Sequence, residues 1–204
     1  NQKTMIKAEV NVIGTVSRSA VVRDGKEGTK FVTFGVSVVI LAKSGINKTV
    51  EISVAKDYQL GDDISLIQTK DNRVGLKGNI TFRKKGDNLY LNMEASEINV
   101  AKPEDKDIIE GDMTFLGKVG NKIEVKDSKN GKKFLSTSGF STTKEGEEFE
   151  YTWVRFIQFE AEKPEWLVPK AGIEVKGKLE LDVYNDKLDI SCRVSELKEW
   201  VKQQ

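Results

Sequence analysis

The sequence predicts an all-β protein made of two consecutive five-stranded Greek-key barrels, each with a short helix between its third and fourth strands. The chain repeats itself about halfway along, and each copy alternates β-rich runs with clusters of Gly, Asn, Asp and Lys. One glycine inside each long first strand favours barrels, because an isolated glycine in a strand often marks a bulge or corner. Five-stranded barrels of another topology would show the same pattern and stay open as an alternative.

The repeat relates two copies of about 100 residues each. Val12-Ile13-Gly14-Thr15-Val16 recurs 103 positions later as Phe115-Leu116-Gly117-Lys118-Val119, and Val74-Gly75-Leu76-Lys77-Gly78 recurs 99 positions later as Ile173-Glu174-Val175-Lys176-Gly177. A period of this length is a whole domain, since solenoid units repeat every 20 to 50 residues or so. We therefore predict a first domain over residues 1–100, a linker over 101–110, which contains Pro103, and a second domain over 111–204.

Five strands are predicted in each copy. In the first copy they cover 6–18, 30–41, 48–56, 73–83 and 88–99, and in the second 112–125, 133–142, 149–159, 173–183 and 187–197. The connection from the third to the fourth strand is the helical candidate. In the second copy Pro164 suits the first turn of a helix and Pro169 suits its end, and we expect Trp166 and Leu167 between them to plug the barrel. With Gly14 and Gly117 bending the first strands, this arrangement indicates the oligonucleotide/oligosaccharide-binding (OB) fold.

Composition excludes several classes of function. The chain has no histidine, which rules out His-based acid–base chemistry, Ser-His-Asp triads and His-ligated zinc, and we expect no enzyme, no metal and no cofactor. The single cysteine, Cys192, allows no internal disulfide, and no apolar run approaches the roughly 20 residues of a membrane span. We therefore expect a protein of the reducing cytoplasm that contacts no membrane.

Charge is distributed unevenly between the copies. Residues 1–100 hold 15 Lys and Arg against 11 Asp and Glu, a balance of +4, whereas residues 101–204 hold 18 against 21, a balance of −3. Ordinary solvated surface explains such a difference, and attraction of polyanions to the first copy is the alternative.

The third strand of the second copy carries the sharpest functional signal. Its sequence is Tyr151-Thr152-Trp153-Val154-Arg155-Phe156-Ile157-Gln158-Phe159. The period of two along a strand puts Trp153, Arg155 and Phe159 on one face. Bases stack on aromatic faces and phosphates pair with a neighbouring cation, so this triplet suits single-stranded nucleic acid. Alternatively, Trp153 and Phe159 belong to the core and Arg155 is merely solvated.

At this strand the second copy resembles the bacterial and phage single-stranded DNA-binding proteins. Four motifs match that family in order: the first-strand glycine motif 115–119, a second strand ending in Ser/Thr-rich sequence at 134–143, Trp-x-Arg-x-x-x-Phe at 153–159, and Val-x-Gly-x-Leu at 175–179. The resemblance covers nearly all of residues 111–199. It implies stacking of DNA on Trp153 and Phe159 and on an aromatic between the last two strands, Tyr184, with Arg155 as the third-strand cation.

The resemblance also sets expectations about assembly. Family members with one domain per chain usually assemble four domains, so two domains per chain imply a homodimer. The chain ends Lys202-Gln203-Gln204 without the acidic tip that recruits partners in the family, so recruitment by that route is not expected. Acidic residues before the third strand, Glu145 to Glu150, depart from the family pattern and oppose DNA binding by this half alone.

The first copy lacks aromatic residues on its third strand but has a basic turn between its last two strands. Loops at this end of an OB-fold commonly clamp nucleic acid, and Arg83, Lys84 and Lys85 supply three consecutive cations there, although Gly86-Asp87 also makes an ordinary tight turn. Lys43 and Lys48 could extend the path. On the second strands Phe34 is expected in the core, and Phe31 and Phe134 are candidates for base stacking.

These observations favour non-catalytic binding of single-stranded DNA, without sequence preference, in replication or recombination. A duplicated OB-fold scaffold for other proteins is the rival hypothesis, favoured by the near-neutral charge and the acidic second copy. A metal-dependent nuclease is a distant third, since Asp62-Asp63 and Asp105-Lys106-Asp107 lack the convergent set of groups that such chemistry needs.

Overall fold

The computed structural model describes residues 4–201 and shows an all-β chain. All ten predicted strands are present. In the first half they are β1 (Met5–Asp24), β2 (Lys30–Ile40), β3 (Lys48–Tyr58), β4 (Arg73–Lys85) and β5 (Asn88–Val100). In the second half they are β6 (Ile108–Asp127), β7 (Lys133–Glu145), β8 (Glu148–Phe159), β9 (Gly172–Tyr184) and β10 (Lys187–Glu199). The chain end at 202–204, on which the expectation about an acidic tip rests, lies outside the described residues.

The strands of each half hydrogen-bond in a closed order. The first part of β1 pairs with β4 and its last part pairs with β2, while β3 pairs with β2 on one side and, in parallel, with β5 on the other. Together with the β4–β5 hairpin this gives the ring β1-β2-β3-β5-β4. The second half repeats it as β6-β7-β8-β10-β9. The two rings are not separate sheets, because β1 also pairs with β6 and joins all ten strands.

Gly14 and Gly117 lie where each first strand passes from one partner to the next. A Cβ on Gly14 would stand 2.5 Å from the carbonyl oxygen of Ser37 on β2, and a Cβ on Gly117 would stand 2.4 Å from that of Phe140 on β7. Only glycine permits these approaches, and the strand pairing shifts register just beyond each one. The predicted bending of the first strands at these glycines is confirmed.

Alternation along the strands builds the core. Residues of one face of β2, including Phe34 and Val36, are fully buried, as are Phe115 and Phe156 in the second half, whose rings meet edge to face with centroids 4.9 Å apart. Apolar side chains buried in this way supply the main driving force for folding. The prediction that Phe34 is a core residue is confirmed.

The predicted helices are right for the first half and wrong for the second. The connection from β3 to β4 contains α1 (Ser65–Gln68), one turn that buries Ile67. The corresponding connection from β8 to β9 contains turns only, in which Leu167 N donates to the carbonyl oxygen of Pro164. Pro169 disfavours helical geometry at the residue before it, so the segment after Pro164 closes one turn and cannot continue. Leu167 is nonetheless buried and Trp166 packs against the core, as the predicted plug requires.

A pseudo-two-fold axis relates the halves. In the antiparallel pairing of β1 with β6, Met5 lies opposite Leu116 and Glu9 lies opposite Asp112. Glu9 and Asp112 are 103 positions apart, so they occupy the same position of the repeat. The paired edge is therefore self-complementary in the way that a two-fold symmetric dimer interface is.

The segment between the halves is held by ion pairing and backbone contacts. Arg73 on β4 forms an ion pair with Asp107, and Asp107 also accepts a hydrogen bond of 2.8 Å from Val39 N on β2. β6 begins at Ile108, so the last three residues of the predicted linker are already part of a strand. In the part of the chain that the structure describes, no helix is long and apolar enough to cross a membrane.

Candidate nucleic-acid interface

The outer face of β8 presents the predicted aromatic and cationic side chains. Trp153 is 51% exposed and Phe159 is 48% exposed, and Arg155 is exposed between them. Val154 and Phe156 on the opposite face are buried at 1%. The predicted alternation is confirmed, and the alternative in which Trp153 and Phe159 belong to the core is wrong.

The exposed row extends further than the sequence analysis expected. Tyr151 and Phe149 continue the period of two back to the start of β8, and both are exposed. From β7, the Phe140 ring contacts both Tyr151 and Trp153, with its centroid 5.5 Å from that of Tyr151 and 5.0 Å from that of Trp153. The period of two could have found Tyr151 and Phe149. We call the following residues the aromatic stripe: Phe140, Phe149, Tyr151, Trp153 and Phe159.

The cation of the predicted triplet is partly engaged. The Arg155 guanidinium forms an ion pair of 3.0 Å with Asp189 on the neighbouring strand β10. A second arginine, Arg193, lies 4.9 Å above the Phe159 ring, and Phe134 packs against the same ring at 6.0 Å. Phe134 is therefore at the end of the stripe, half-buried, as a candidate for base contact. Sequence reasoning missed Arg193, which becomes a neighbour of β8 only through the parallel pairing of β8 with β10.

A groove between the two halves begins at the stripe. Its volume is about 570 Å³, and Trp153 forms part of its wall from the second half. Lys48 and Lys84 line it from the first half, together with Tyr90 on β5, and Lys187 lines it from β10. We call this the inter-half groove. It brings three of the predicted site residues together, whereas Tyr90 and Lys187 gave no signal in the sequence.

The basic hairpin between β4 and β5 does not project freely into solvent. Arg83 forms an ion pair with Glu145 at the end of β7, and Lys85 Nζ lies 3.5 Å from the same carboxylate. Gly86 N donates to Glu150 on β8 at 3.0 Å. Arg83 and Lys85 are thus paired with a carboxylate of the second half, and their role as phosphate-binding cations stays a prediction.

The other predicted cations of the first half, Lys84, Lys48 and Lys43, also lie near residues of the second half. Lys84 N donates to Thr152 Oγ1 at 2.9 Å, and Lys84 lines the inter-half groove. Lys48 Nζ lies 3.5 Å from Asp186 in the β9–β10 turn, and Lys43, exposed beside it, donates its backbone N–H to Asp182 at 3.3 Å. Four carboxylates of the second half therefore contact the first half: Glu145, Glu150, Asp182 and Asp186.

Two predicted aromatic residues stand apart from this assembly. Tyr184, at the end of β9, is 73% exposed and is not among the residues that line the inter-half groove. Phe31 on β2 is half-buried, opposite Arg23 on β1 and Asp57 on β3 in the strand register. The structure does not bring either of them to the stripe.

The carboxylate pairs considered for a nuclease have structural partners. Asp62 accepts a hydrogen bond from Gln59 N, and Asp63 accepts one from Ser65 N that lowers the pKa of the Asp63 carboxyl. Asp105 accepts from Lys102 N. Within residues 4–201 no group of three or more acidic or cysteine side chains is placed to hold a metal ion. Burial raises the pKa of the Cys192 thiol to about 12, which makes it a poor nucleophile.

Comparison with known proteins finds similarity only among solved structures. No family model matches the chain, and no curated protein matches it. The wild-type single-stranded DNA-binding protein from Thermus aquaticus is similar over 100% of this chain and 96% of its own, with a TM-score of 0.47 and 14% identity. A small single-stranded DNA-binding protein from Streptomyces coelicolor is similar over 48% of this chain and 96% of its own, with a TM-score of 0.38 and 18% identity.

Proposed function

We propose that this protein binds single-stranded DNA without catalysis and without sequence preference, by stacking bases on the aromatic stripe. The observation that carries the proposal is the row of exposed aromatic side chains along β8, centred on Trp153. Rings held at the surface in a row expose apolar area that water does not favour, and such patches mark binding sites. Every base has a π-face, so stacking on these rings tolerates any sequence.

The stripe is long enough for several nucleotides. From Phe149 to Phe159 the strand rises by roughly 33 Å at about 3.3 Å per residue. Each stacked base contributes about 1 to 3 kcal/mol. The bound DNA strand would continue from Trp153 into the inter-half groove. Lys48, Lys84 and Lys187 line that groove and would neutralise its phosphates.

The architecture supports this use of both halves. We propose that each closed ring of strands is an OB-fold barrel, with residues 1–100 and 111–204 as the two domains and a short connection between them. By the family resemblance, two chains would form a homodimer that presents four such domains, and the protein would coat DNA during replication or recombination. Light scattering at micromolar concentration tests the dimer, which must have twice the mass of one chain.

The test of the function is a pair of substitutions at one position. Fluorescence anisotropy of a labelled oligo-dT is measured with wild type, Trp153→Phe and Trp153→Ala. We expect Trp153→Phe to retain most of the affinity because phenylalanine still stacks, and Trp153→Ala to weaken it by about 10- to 100-fold, the equivalent of about 1.4 to 2.8 kcal/mol. Affinity of all three must fall as salt rises.

A control substitution checks that apolar surface in general does not matter. Leu60 is 90% exposed in the connection after β3, away from the stripe, and Leu60→Ala should bind as wild type does. If wild type fails to bind oligo-dT even at low salt, the DNA-binding proposal is wrong and the scaffold hypothesis takes its place. If Trp153→Ala binds as tightly as wild type, DNA binds elsewhere on the molecule.

A further inference from the structure

We propose that the first half holds a second segment of the same DNA strand in a polar groove that binds its sugar-phosphate backbone and base edges rather than stacking its bases. This inference rests on the proposed function and extends it to a site on the half that has no aromatic stripe. The groove has a volume of about 550 Å³. It shares only Ser53 with the inter-half groove, and the residues that line it come from all five strands of the first half.

The rim of this polar groove is basic. Lys7, Arg18 and Arg23, all from β1, line it together with one carboxylate, Glu94, so cations exceed anions by two. Arg23 is held in place by a hydrogen bond of 2.8 Å from its Nε to Thr33 Oγ1. Arg18 lies 3.7 Å from Glu51, an exposed contact that a phosphate could replace at little cost. A rim of this kind fits the negative charge of consecutive phosphates.

Hydroxyl and amide side chains line the groove beside the apolar residues Val54, Ala55 and Met93. Thr33, Thr81, Asn79 and Asn92 supply donors and acceptors, and no aromatic residue lines the groove. The Asn79 Oδ1 atom is buried and has no hydrogen-bond partner within the described part of the chain. A buried acceptor without a partner is costly, and rotation of the Asn79 side chain toward the groove would let an N–H group on the edge of a base satisfy it. The chemistry therefore favours hydrogen bonding over stacking.

The repeat explains why an open groove lies here. Ser53 pairs with Asn92 in the parallel β3–β5 ladder, and Arg155 pairs with Ser191 in the equivalent β8–β10 ladder. Ser53 is thus the counterpart of Arg155, and Ala55 is the counterpart of Ile157. Small side chains in the first half leave space at the position where the second half carries its row of large ones.

Ser53 also connects the two grooves. It lines the polar groove on one side and the inter-half groove on the other. A DNA strand that leaves Trp153 through the inter-half groove would therefore run past Ser53 and enter the polar groove. The expected path is continuous, from the aromatic stripe across both halves.

The test compares short and long DNA with the full-length protein. Anisotropy titrations use oligo-dT of about 6 nucleotides, which fills the stripe alone, and of about 20 nucleotides, which reaches the first half. For Arg18→Gln/Arg23→Gln we expect unchanged affinity for the short oligonucleotide, about 10-fold weaker binding of the long one at low salt, and a salt slope smaller by about 1.4 for the two lost phosphate contacts. Asn79→Asp, which puts a carboxylate in the groove, should give the same dependence on length.

Controls separate the inference from the proposed function. Lys129→Gln/Lys163→Gln removes two exposed cations outside both grooves and should leave both affinities unchanged, and circular dichroism confirms that each variant folds. Equal affinity of Arg18→Gln/Arg23→Gln and wild type for the long oligonucleotide overturns the polar groove, while Trp153→Ala still reports on the stripe. Equal losses for both lengths also overturn it, because they would reflect a general change in charge or fold. Failure of wild type to bind either length overturns the proposed function itself.

Discussion

Arg83 in the first half forms an ion pair with Glu145 in the second, and at the pseudo-symmetric position the second half places a carboxylate against the backbone of the first. The position equivalent to Arg83, 99 residues on, is Asp182, which accepts a hydrogen bond from Lys43 N in the first half. Likewise Lys48 lies near Asp186, while Glu150 accepts from Gly86 N. Each hairpin therefore reaches the other half, basic onto acidic in one direction and acidic onto basic in the other.

This exchange accounts for part of the uneven charge of the two halves. Some of the excess of +4 in residues 1–100 and of −3 in residues 101–204 lies at their mutual interface. Two copies of the first half in the same arrangement would bring Arg83 close to Lys43, and two copies of the second would bring Asp182 close to Glu145. The charges thus favour pairing between unlike halves.

Reversing the charge of Arg83 should destabilise the protein, and reversing the charge of Glu145 as well should restore the lost stability. We expect Arg83→Glu to lower the free energy of unfolding by about 1 kcal/mol, since it replaces an attraction with repulsion from Glu145 at a partly exposed site. Arg83→Glu/Glu145→Arg should recover most of that loss. Urea unfolding of the single and double variants at low and high salt measures the loss and the recovery. A double variant no more stable than Arg83→Glu would contradict the ion pair's role.

The pairing of β1 with β6 should depend on Gly111. A Cβ at that position would stand 1.8 Å from the carbonyl oxygen of Glu9 on β1, so Gly111→Ala must push the strands apart. We expect a loss of about 2 kcal/mol or more, with faster amide exchange in β1 and β6. Gly75→Ala is the matched control, because its Cβ would meet no atom closer than 3.9 Å. Unchanged exchange in Gly111→Ala would contradict the observed pairing.

Asp189 should restrain DNA binding by holding Arg155. Removing its charge with Asp189→Asn frees the guanidinium on the stripe for phosphate, so we expect oligo-dT affinity to rise several-fold at low salt and the salt slope to steepen by about 0.7. Glu162→Gln, an equal change in charge at an exposed position in the β8–β9 connection, is the control for net charge. An identical rise in both variants would show that Arg155 has no specific part.

Cys192 should make stability fall at alkaline pH. Burial raises the pKa of its thiol from 9.0 to about 12, so above pH 9 the unfolded chain loses this proton while the folded chain keeps it. Fewer bound protons in the unfolded state mean that stability falls as pH rises, by of order 1 kcal/mol per pH unit from this group. Lysines and tyrosines titrate in the same range, so the measured quantity is the difference between wild type and Cys192→Ala from pH 9 to 11. A difference that does not change with pH contradicts the prediction.

Local sequence pattern predicted most of the fold. The period of two located ten strands and placed Trp153 outside and Val154 inside, because the burial of one face is a property of the strand itself. The sequence prediction failed at the second helix. Pro164 and Pro169 suit the two ends of a helix, but the segment between them closes only one turn.

The site was harder to predict because its parts meet only through tertiary structure. Arg83 and Lys85 read as free cations, since nothing near them in the sequence shows that Glu145 lies against them. Tyr90 and Lys187 reach the inter-half groove only because β1 pairs with β6 and brings the halves together. Contacts that depend on how two domains dock have no signature in the spacing of residues within either one.

Stacking of DNA on Trp153 is the central claim, and the indole N–H resonances of the protein test it most directly. The chain has three tryptophans, of which Trp166 and Trp200 are half-buried and off the stripe. On titration with oligo-dT at low salt, we predict a large upfield shift of the Trp153 indole signal, as expected for a ring beneath a base, with little change in the other two. Saturable binding that leaves the Trp153 signal unmoved would contradict the claim.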